Sequence, residues 1–161
     1  MRRLLSDEFF TTFARMHRFF VDPKQSAEPV IELSEREAHH AAHVLRLQPK
    51  DRVVVPDGRG SELMCNVSEI GKQRVVLKVY QRNQVPPLPY RLTLVQAVPK
   101  VKTMETIVQK ATELGAWRVA PILADRTVAH IDKENTETKV EKWNWIAIDS
   151  IKQCGSAWTP R

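Results

Sequence analysis

The sequence predicts an α/β protein (α+β overall), in which a small β-barrel is followed by a domain built on parallel strands. Residues 52–79 form short runs of alternating apolar and polar side chains, separated by glycine turns, which is the pattern of half-buried strands. Residues 92–123 instead indicate a strand, a helix and a second strand with very short connections. That order is typical of a βαβ unit, whose crossover is nearly always right-handed.

The composition is that of a folded protein with a basic surface. The 161 residues are 42% hydrophobic and 27% charged, and 25 Lys and Arg against 19 Asp and Glu give a net charge of +6, which favours a polyanionic partner. Cys65 and Cys154 are far apart and lack metal-ligand spacing, so we expect a reducing compartment and no metal. No apolar run reaches membrane-spanning length, and Asp7 and Glu8 interrupt a signal-peptide pattern. We therefore expect a cytoplasmic protein without a membrane partner.

The first domain is predicted to cover residues 16–84. Residues 1–15 precede it as an N-terminal extension, either a short amphipathic helix or, as we favour, a segment of no consequence. Residues 17–21 then predict a short strand that Asp22 and Pro23 end.

A helix is predicted over residues 34–46, because Ser34 and Glu37 have the spacing of a capping box. Alanines and Leu45 give it a narrow apolar face. Four polar side chains share another face by their i, i+3 and i+4 spacing: Arg36, His39, His43 and Arg46. Three interpretations of this stripe remain open. It is a solvated face, a phosphate-contacting face or, less favoured because a third ligand is missing, a metal site.

Strands are predicted at residues 52–55, 62–67 and 75–79, with turns at 57–60 and 71–72. Several short strands and one helix in roughly seventy residues describe a small β-barrel, and such barrels often bind RNA by analogy. The proline-rich residues 85–90 form a predicted linker, so the second domain covers residues 91–161.

In the second domain, Lys100 and Lys102 lie between the first strand and its helix, and Arg126 follows the second strand. The carboxyl ends of parallel strands are where open α/β sheets place their sites, so these cations suggest an anionic ligand. The lysines alone are more often ordinary solvated residues. Gly115 is predicted to end the helix, and a last helix is predicted over about 137–153 after a polar, loop-like segment at 132–138.

Six segments in this order resemble the ribosomal RNA small subunit methyltransferase E family of the SPOUT superfamily. They are MHRFFV at 16–21, HHAAHVLR at 39–46, PDGRG at 56–60, KVKTMETIVQKATELG at 100–115, DRTV at 125–128 and KQCG at 152–155. The resemblance implies a PUA-like RNA-binding barrel and an α/β domain with a deep trefoil knot. It also implies methylation of uridine N3 in 16S ribosomal RNA, S-adenosylmethionine as cofactor, the small ribosomal subunit as partner, and a homodimer at full length.

Site residues follow from the resemblance, position by position. The expected RNA contacts from the barrel are Arg18, His39, His40 and Arg46. In the second domain the expected roles are catalytic for Lys100 and Arg126, RNA-binding for Lys102 and Lys110, and site-supporting for Glu113 and Gln153. Beside the reacting base, Arg126 and Lys100 would stabilise the anion formed when uridine N3 loses its proton.

Two departures from the family pattern matter. Ser156-Ala157-Trp158 follows Gly155, where the family carries an arginine. The knotted segment with its glycine-rich cofactor loops is expected beyond Arg161, so the resemblance implies a partial SPOUT domain, truncated before the knot, in which no residue of this chain binds the cofactor. We expect the chain alone to bind S-adenosylmethionine weakly or not at all, and to expose apolar strand surface to water.

Two other functions compete with the methyltransferase. The chain is alternatively a non-catalytic RNA-binding module or gene remnant, in which only the barrel functions. An unrelated α/β nucleotide-binding protein is the weaker alternative, because the sequence contains no glycine-rich phosphate loop.

Overall fold

The computed structural model describes residues 16–71, 74–124 and 133–161. Within these ranges the elements are, in chain order, β1 (His17–Arg18), β2 (Val30–Glu32), α1 (Glu35–His39), a π-helical segment (His40–Val44), β3 (Arg52–Pro56), β4 (Ser61–Ile70), β5 (Val75–Gln84), β6 (Thr93–Ala97), α2 (Val101–Glu113), β7 (Arg118–Ile122) and α3 (Lys133–Cys154). The chain divides into two compact units. The first unit comprises residues up to Val55 with Glu62–Asn83, and the second comprises Pro56–Ser61 with Gln84–Arg161.

The first unit is built on one sheet, which has five strands in the order β1-β3-β4-β5-β2 within residues 16–71 and 74–84. β1 runs parallel to β3, with His17 opposite Val53, and β2 runs antiparallel to β5, with Val30 opposite Lys78. One apolar core joins the sheet to α1 and the segment that follows it. Its fully buried members include Phe19, Ala38, Ala41, Val53, Val55, Leu63, Cys65, Val75 and Leu77.

The helix predicted over residues 34–46 begins as expected and then changes type. The Ser34 hydroxyl accepts a hydrogen bond of 3.5 Å from the backbone N–H of Glu37, which caps α1. After His39 the turns widen, and the N–H of Leu45 donates to the carbonyl of His40 at 3.0 Å, a π-helical bond. The apolar periodicity of the sequence gives no sign of this change. Ala38 in α1 and Ala41 in the π-helical segment are both buried, so the two helix types have the same apolar pattern.

In the strand predicted over residues 62–67, Met64 alternates with Leu63 and Cys65, so the half-buried pattern predicts that Met64 faces outward, and this prediction is wrong. Its side chain is 1% exposed, and Val54 and Val76 on neighbouring strands are buried as well. Both faces of the sheet are therefore covered at this level. Because Met64 is itself apolar, the alternation on which the prediction depended is already interrupted there.

The second unit contains the predicted βαβ arrangement. In its described residues, β6 and β7 pair in parallel, with Thr93 opposite Arg118 and Ala97 opposite Ile122, and α2 connects them. The helix α2 ends as predicted at Gly115, whose φ of +79° suits a glycine. A small core then holds the two helices on the strands, with Met104, Val108 and Ala147 buried and Val119, Trp143 and Ile146 packed against them.

Helix α3 begins at Lys133, so the loop predicted over residues 132–138 is wrong for most of its length. The error has a physical reason. The apolar stripe of this helix starts only at Val140, so the first two turns are polar and give no amphipathic signal. Its end agrees with the prediction, since Gly155 follows Cys154 with a φ of +80°.

Apolar side chains of the two parallel strands face water, as predicted. Val95 is 60% exposed, and Leu92 and Leu123, which flank the strands, are 55% and 61% exposed. On the other side of β7, Arg161 makes a parallel backbone bridge: its N–H donates to the Trp117 carbonyl at 3.0 Å, and its carbonyl accepts from the Val119 N–H at 3.1 Å.

Candidate functional site

The arginine–histidine stripe lies on the surface of the first unit. Arg36, His39, His43 and Arg46 are all exposed. The rings of His39 and His43 lie with their centroids 4.7 Å apart, so two imidazoles form a continuous polar patch between two arginines. Guanidinium and imidazole N–H groups on one open surface are the donors that contact phosphate oxygens in nucleic-acid complexes.

The backbone of Arg46 is held in an uncommon conformation. Its φ is +52°, in the left-handed region that non-glycine residues rarely adopt. The conformation ends the helical segment, because it lets the N–H of Leu47 donate to the carbonyl of Ala41 at 3.0 Å. Leu47 is thereby buried while Arg46 stays exposed. The fold accepts local strain to direct this arginine outward, which is a pattern found at functional positions.

Two other residues predicted to contact RNA lie beside the core of the same unit. His40 is half-buried, and its ring meets Phe19 edge-on at a centroid distance of 6.3 Å. Arg18 reaches Glu62 with Nη2 2.6 Å from Oε1, and both side chains are only 16% exposed. Part of the charge of Arg18 is therefore compensated inside the protein.

In the second unit, Lys100 and Lys102 lie at the carboxyl edge of the parallel strands. The strand ends are joined there by the Val98 N–H, which donates to the carbonyl of Ile122 at 3.0 Å. Lys100 is the N-cap residue of α2 and Lys102 lies in its first turn, and both are exposed. Two ammonium groups and the positive end of the helix dipole give this edge a positive potential. Arg126, the third cation predicted here, lies outside the described residues.

The remaining predicted site residues lie at the opposite end of α2. Lys110 is ten residues after Lys100, which corresponds to about 15 Å along a helix. Its Nζ is 2.7 Å from Oε2 of Glu113, and the side chain of Gln109 donates to Oε1 of Glu113 at 2.8 Å. These hydrogen bonds, first that of Lys110, lower the pKa of Glu113 below its usual value.

Gln153 belongs to this second group. It is exposed near the end of α3, two residues before Gly155, and Gly155 lines the same cavity as Glu113. The structure therefore separates the predicted residues of this unit. Lys100 and Lys102 are at the carboxyl strand edge, while Lys110, Glu113 and Gln153 are at the far helix ends.

Sequence reasoning missed an aromatic–arginine cluster near that far end. The guanidinium carbons of Arg91 and Arg161 lie 4.6 and 4.4 Å from the ring centroid of Trp117, and the ring of Trp158 is 6.1 Å from that of Trp117. The tryptophans are isolated in the sequence and fall outside the helical and strand patterns. The one sequence signal for this cluster is Trp117, which lies two residues after the turn at Gly115.

The described residues offer no ready cradle for an adenosyl cofactor or a metal. The glycines with left-handed φ are at positions 58, 60, 115 and 155, none of them at the carboxyl edge beside Lys100. Within the described ranges, no group of three or more His, Cys, Asp or Glu side chains is arranged to bind a metal ion. The helices of this part of the chain are all too short or too polar to cross a membrane.

Two family profiles match the chain in the order of its two units. A profile described as an RNA methyltransferase PUA domain matches residues 33–80, and one described as an RNA methyltransferase domain matches residues 86–161. Together they account for most of the described residues.

Curated relatives extend the match. The chain is 31% identical to the ribosomal RNA small subunit methyltransferase E of Bacillus subtilis over 150 residues, which are 91% of this chain and 59% of that protein. It is also 31% identical to the protein of the same name from Synechocystis, with coverage of 93% and 48%. The chain thus spans about half to three-fifths of the length of these relatives.

Solved structures share the fold. A Legionella pneumophila protein, described as a methyltransferase in complex with bound cofactor SAM, superimposes with a TM-score of 0.84 at 27% identity, covering 91% of this chain and 61% of that one. The ribosomal RNA small subunit methyltransferase E of Neisseria gonorrhoeae, bound to S-adenosyl methionine, gives 0.81 at 24% identity, with coverage of 91% and 60%. The mixed α/β architecture, with a PUA-like unit and parallel strands, is the one that these proteins have.

Proposed function

Because the chain belongs to the ribosomal RNA small subunit methyltransferase E family, we propose that it carries the RNA-binding unit and part of the methyl-transfer domain of a 16S ribosomal RNA methyltransferase. The proposed reaction is the S-adenosylmethionine-dependent methylation of uridine N3. One observation carries the proposal: the chain combines an exposed arginine–histidine stripe on one unit with a cationic carboxyl strand edge on the other.

The proposed domains keep the boundaries expected from the sequence: an extension at 1–15, an RNA-binding barrel at 16–84, a linker at 85–90 and a partial SPOUT domain at 91–161. The contact pattern adds one detail to this division. The turn at residues 56–61 groups with the second unit, because Gly60 and Gly58 bond to the backbone near Trp158. We therefore expect this turn to follow the methyl-transfer domain when the units are separated.

The arginine–histidine stripe is proposed to hold the RNA backbone. Arg46 and His39 would contact phosphates directly, since both are exposed on the same surface, whereas His40 and Arg18 would contribute from the margin of the core. Cations at this surface raise affinity without reading sequence. Lys102 and Lys110 are proposed to add contacts from the second unit, and Glu113 and Gln153 to support it.

Lys100 and Arg126 are proposed to act on the target base. Uridine N3 carries a weakly acidic proton, so the base becomes a nucleophile only when its anion is stabilised. An ammonium or guanidinium group held beside the base lowers the free energy of that anion. Lys100 meets the requirement of access, because its side chain is exposed at the edge where β6 meets α2.

S-adenosylmethionine is the proposed cofactor, and the glycine pattern of the described residues supports only a weak contribution from them to its binding. At the carboxyl edge, Pro99 and Lys100 follow β6 without a glycine turn that could approach an adenosyl group. We expect the 161-residue chain to bind S-adenosylmethionine weakly or not at all. A calorimetric titration of the purified chain that gives micromolar affinity contradicts this expectation.

RNA binding is the direct test of the proposal. The Arg36→Ala/Arg46→Ala chain should bind 16S ribosomal RNA about 10-fold more weakly than the parent. The slope of log affinity against log salt concentration should be shallower by about 1.4 to 1.8, the value for two lost phosphate contacts. The matched control is Arg52→Ala/Arg74→Ala, which removes the same charge from exposed positions elsewhere on the first unit. Equal losses in both variants would mean that only net charge matters.

Methyl transfer is tested in a chimera, in which this chain replaces the matching part of the Bacillus subtilis relative. Nucleoside mass spectrometry of 16S RNA should detect 3-methyluridine, and Lys100→Ala or Arg126→Ala should reduce its rate of formation without unfolding the chimera. A chimera that binds RNA but forms no 3-methyluridine favours the alternative, a non-catalytic RNA-binding module.

The proposed setting is the cytoplasm, with 16S RNA or the small ribosomal subunit as the partner. A homodimer is proposed for a full-length member, and the chimera provides the measurement. Sedimentation equilibrium should give twice the protomer mass.

A further inference from the structure

Trp117 is held between two other backbone segments at the amino-terminal edge of the parallel strands. Its N–H donates to the Leu92 carbonyl at 2.9 Å, and its carbonyl accepts from the Arg161 N–H at 3.0 Å. The neighbouring side chains of Arg91 and Arg161 are thereby fixed over the indole, with guanidinium carbons 4.6 and 4.4 Å from the ring centroid. Cation–π contacts of this geometry hold a guanidinium plane in place while its N–H groups remain exposed to solvent.

A cavity of about 380 Å³ opens beside this cluster. Its walls include Trp117, Trp158 and the exposed ring of Tyr90, together with Pro86 and Pro87. The volume lies within the range of small-molecule sites, which begins at about 300 Å³. Aromatic and proline walls of this kind favour a flat, unsaturated ligand that can stack.

The wall formed by Trp158 is rigid. Its indole Nε1–H donates to the Val85 carbonyl at 3.1 Å, and its backbone N–H donates to the hydroxyl of Ser156 at 3.0 Å. The ring is therefore oriented before any ligand arrives. A preoriented stacking surface costs little ordering entropy on binding.

This cluster is separate from the carboxyl edge that carries Lys100. Trp117 precedes the first residue of β7, whereas Lys100 follows the last residue of β6. A five-residue strand is about 16 Å long, so the two places are at opposite ends of the parallel strands. The cluster therefore constitutes a second candidate site on the same unit.

We propose that the cluster binds an unpaired nucleotide of RNA, with the base in the cavity against Trp117 and Trp158 and an adjacent phosphate on Arg91 and Arg161. This inference rests on the proposed function, in that RNA is the substrate. Aromatic faces that stack bases next to arginines that bind phosphates are the arrangement that single-stranded nucleic acid requires. The net charge of +6 adds the long-range attraction.

The carboxylate of Glu113 determines which way round the nucleotide lies in the site. Glu113 also lines the cavity, and its hydrogen bonds to Lys110 and Gln109 keep it as an acceptor. Lys110 compensates the charge of this carboxylate, so the wall offers a phosphate less attraction than the two arginines do. The phosphate therefore lies on the arginine side and the base on the Glu113 side. An acidic peptide would engage the arginines and leave the aromatic walls unused, which makes RNA the better occupant.

The test uses the purified chain and a short unstructured oligoribonucleotide. Binding should quench tryptophan fluorescence. The quench should fall in Trp117→Phe, because Trp158 still lines the cavity, should disappear in Trp117→Phe/Trp158→Phe, and should remain in Trp145→Phe, a tryptophan on α3 that does not line the cavity. Arg91→Ala/Arg161→Ala should weaken binding about 10-fold and make its salt dependence shallower by about 1.4 log units, the value for two phosphate contacts of a single strand. Arg52→Ala/Arg74→Ala is the control of equal charge.

A second variant separates stacking from charge. Arg91→Lys/Arg161→Lys keeps both cations but removes the planar groups, so the salt dependence should stay while affinity falls several-fold. Far-UV circular dichroism and the thermal midpoint should match the parent in each variant. The lysine variant retains the positive charge at both positions and serves as the test if the alanine variant fails to fold.

The outcomes distinguish the two proposals. If the parent binds both the oligomer and 16S RNA, but the arginine variants bind as tightly with the same salt dependence, the second site is refuted and the proposed function stands. If the parent binds 16S RNA but not the oligomer, the second site is refuted as well. If it binds neither RNA, both proposals fail. Equal quenching by an acidic peptide refutes RNA as the occupant.

Discussion

The guanidinium of Arg18 and the carboxylate of Glu62 form a hydrogen-bonded ion pair of 2.6 Å that reaches across strand β3. Arg18 belongs to the two-residue edge strand β1, and Glu62 lies near the start of β4, two strands away. Both side chains are 16% exposed, so water does little to screen the attraction. The pair therefore fastens an edge strand that has few backbone hydrogen bonds of its own.

Removal of Glu62 should destabilise the chain. Glu62→Ala leaves the largely buried Arg18 cation without this acceptor, so we expect a loss of about 2 kcal/mol in the free energy of unfolding. Urea unfolding followed by circular dichroism measures it. In a double-mutant cycle with Arg18→Ala, the coupling energy should reach about 1 to 3 kcal/mol. Additive effects of the two substitutions would show that the pair contributes nothing to stability.

The elements with a clear hydrophobic period were predictable from sequence. The βαβ unit follows from the dense apolar run of β6, the apolar face of α2 and Gly115, and the structure confirms all three. The family resemblance is confirmed by the two family profiles and the curated relatives. What failed lacked such a period: the polar first turns of α3 and the apolar but outward-predicted Met64.

The strained backbone of Arg46 leads to a prediction about stability and RNA binding together. Its φ of +52° suits glycine, so Arg46→Gly should raise the free energy of unfolding by about 0.5 to 1 kcal/mol, after the greater freedom of glycine in the unfolded chain is deducted. The same change should weaken binding to 16S RNA, because an exposed phosphate-binding cation is lost. Thermal unfolding and filter binding measure the two effects.

Lys50 provides the matched control, because it also has a left-handed backbone, with a φ of +80°. Lys50→Gly should give a similar gain in stability and retain most of the RNA affinity, since Lys50 lies outside the arginine–histidine stripe. If Lys50→Gly weakens RNA binding as much as Arg46→Gly does, the stripe is not the specific contact.

The candidate site was only partly predictable. The sequence predicts the position of Lys100 and Lys102 at the strand edge correctly. Pro99 indicates the end of β6, and the helical spacing of apolar residues from Met104 indicates the start of α2. The predicted helix also separates Lys110 from Lys100 by ten residues, but the family pattern grouped both with one site, and only the structure shows the ion pair between Lys110 and Glu113. The contacts of Arg91 and Arg161 with Trp117 join residues far apart in the chain, so no local sequence pattern predicts them.

The Lys110–Glu113 pair predicts a measurable change in a pKa. Hydrogen bonds from Lys110 and then Gln109 lower the pKa of Glu113. Lys110→Ala should raise this pKa toward its ordinary value, and Gln109→Ala should raise it less. Carboxyl carbon shifts followed by NMR through an acid titration measure the effect. An unchanged Glu113 titration in Lys110→Ala would show that the pair does not persist in solution.

The two cysteines should differ sharply in reactivity. Cys65 is fully buried, and burial raises the pKa of its thiol from 9.0 to about 12, with nearby Arg82 opposing this weakly. Cys154 is exposed. A thiol reagent at pH 8 should therefore label Cys154 alone in the folded chain, because only the thiolate reacts. Cys154→Ser should abolish fast labelling, and two reactive thiols in the parent chain would contradict the buried position of Cys65.

The same thiol makes stability depend on alkaline pH. The unfolded chain ionises Cys65 near pH 9 whereas the folded chain keeps its proton to about 12, so unfolding releases a proton in this window. Stability should then fall as pH rises above 9, by up to about 1.4 kcal/mol per pH unit from this group. Cys65→Ala should lack this contribution, and urea unfolding at pH 8 and pH 10 compares the two chains.

Gly60 and Gly155 both have left-handed backbones, but only Gly60 is crowded. An added Cβ at Gly60 would meet the ring of Trp158 and the amide nitrogen of Gln84, whereas nothing lies within 4 Å of one at Gly155. The ring cannot easily move, because its Nε1–H is bonded to Val85. Gly155→Ala should therefore cost about 1 kcal/mol from backbone strain alone, and Gly60→Ala about 2 to 4 kcal/mol.

Urea unfolding gives both free energies, and tryptophan emission reports on Trp158. The emission maximum should shift in folded Gly60→Ala, because the ring is displaced, and should stay unchanged in Gly155→Ala. Equal losses of stability in the two variants would mean that Trp158 is free to move away from the turn. The cavity beside Trp117 would then lack its rigid wall, so this pair of variants also tests the preorganisation on which base stacking depends.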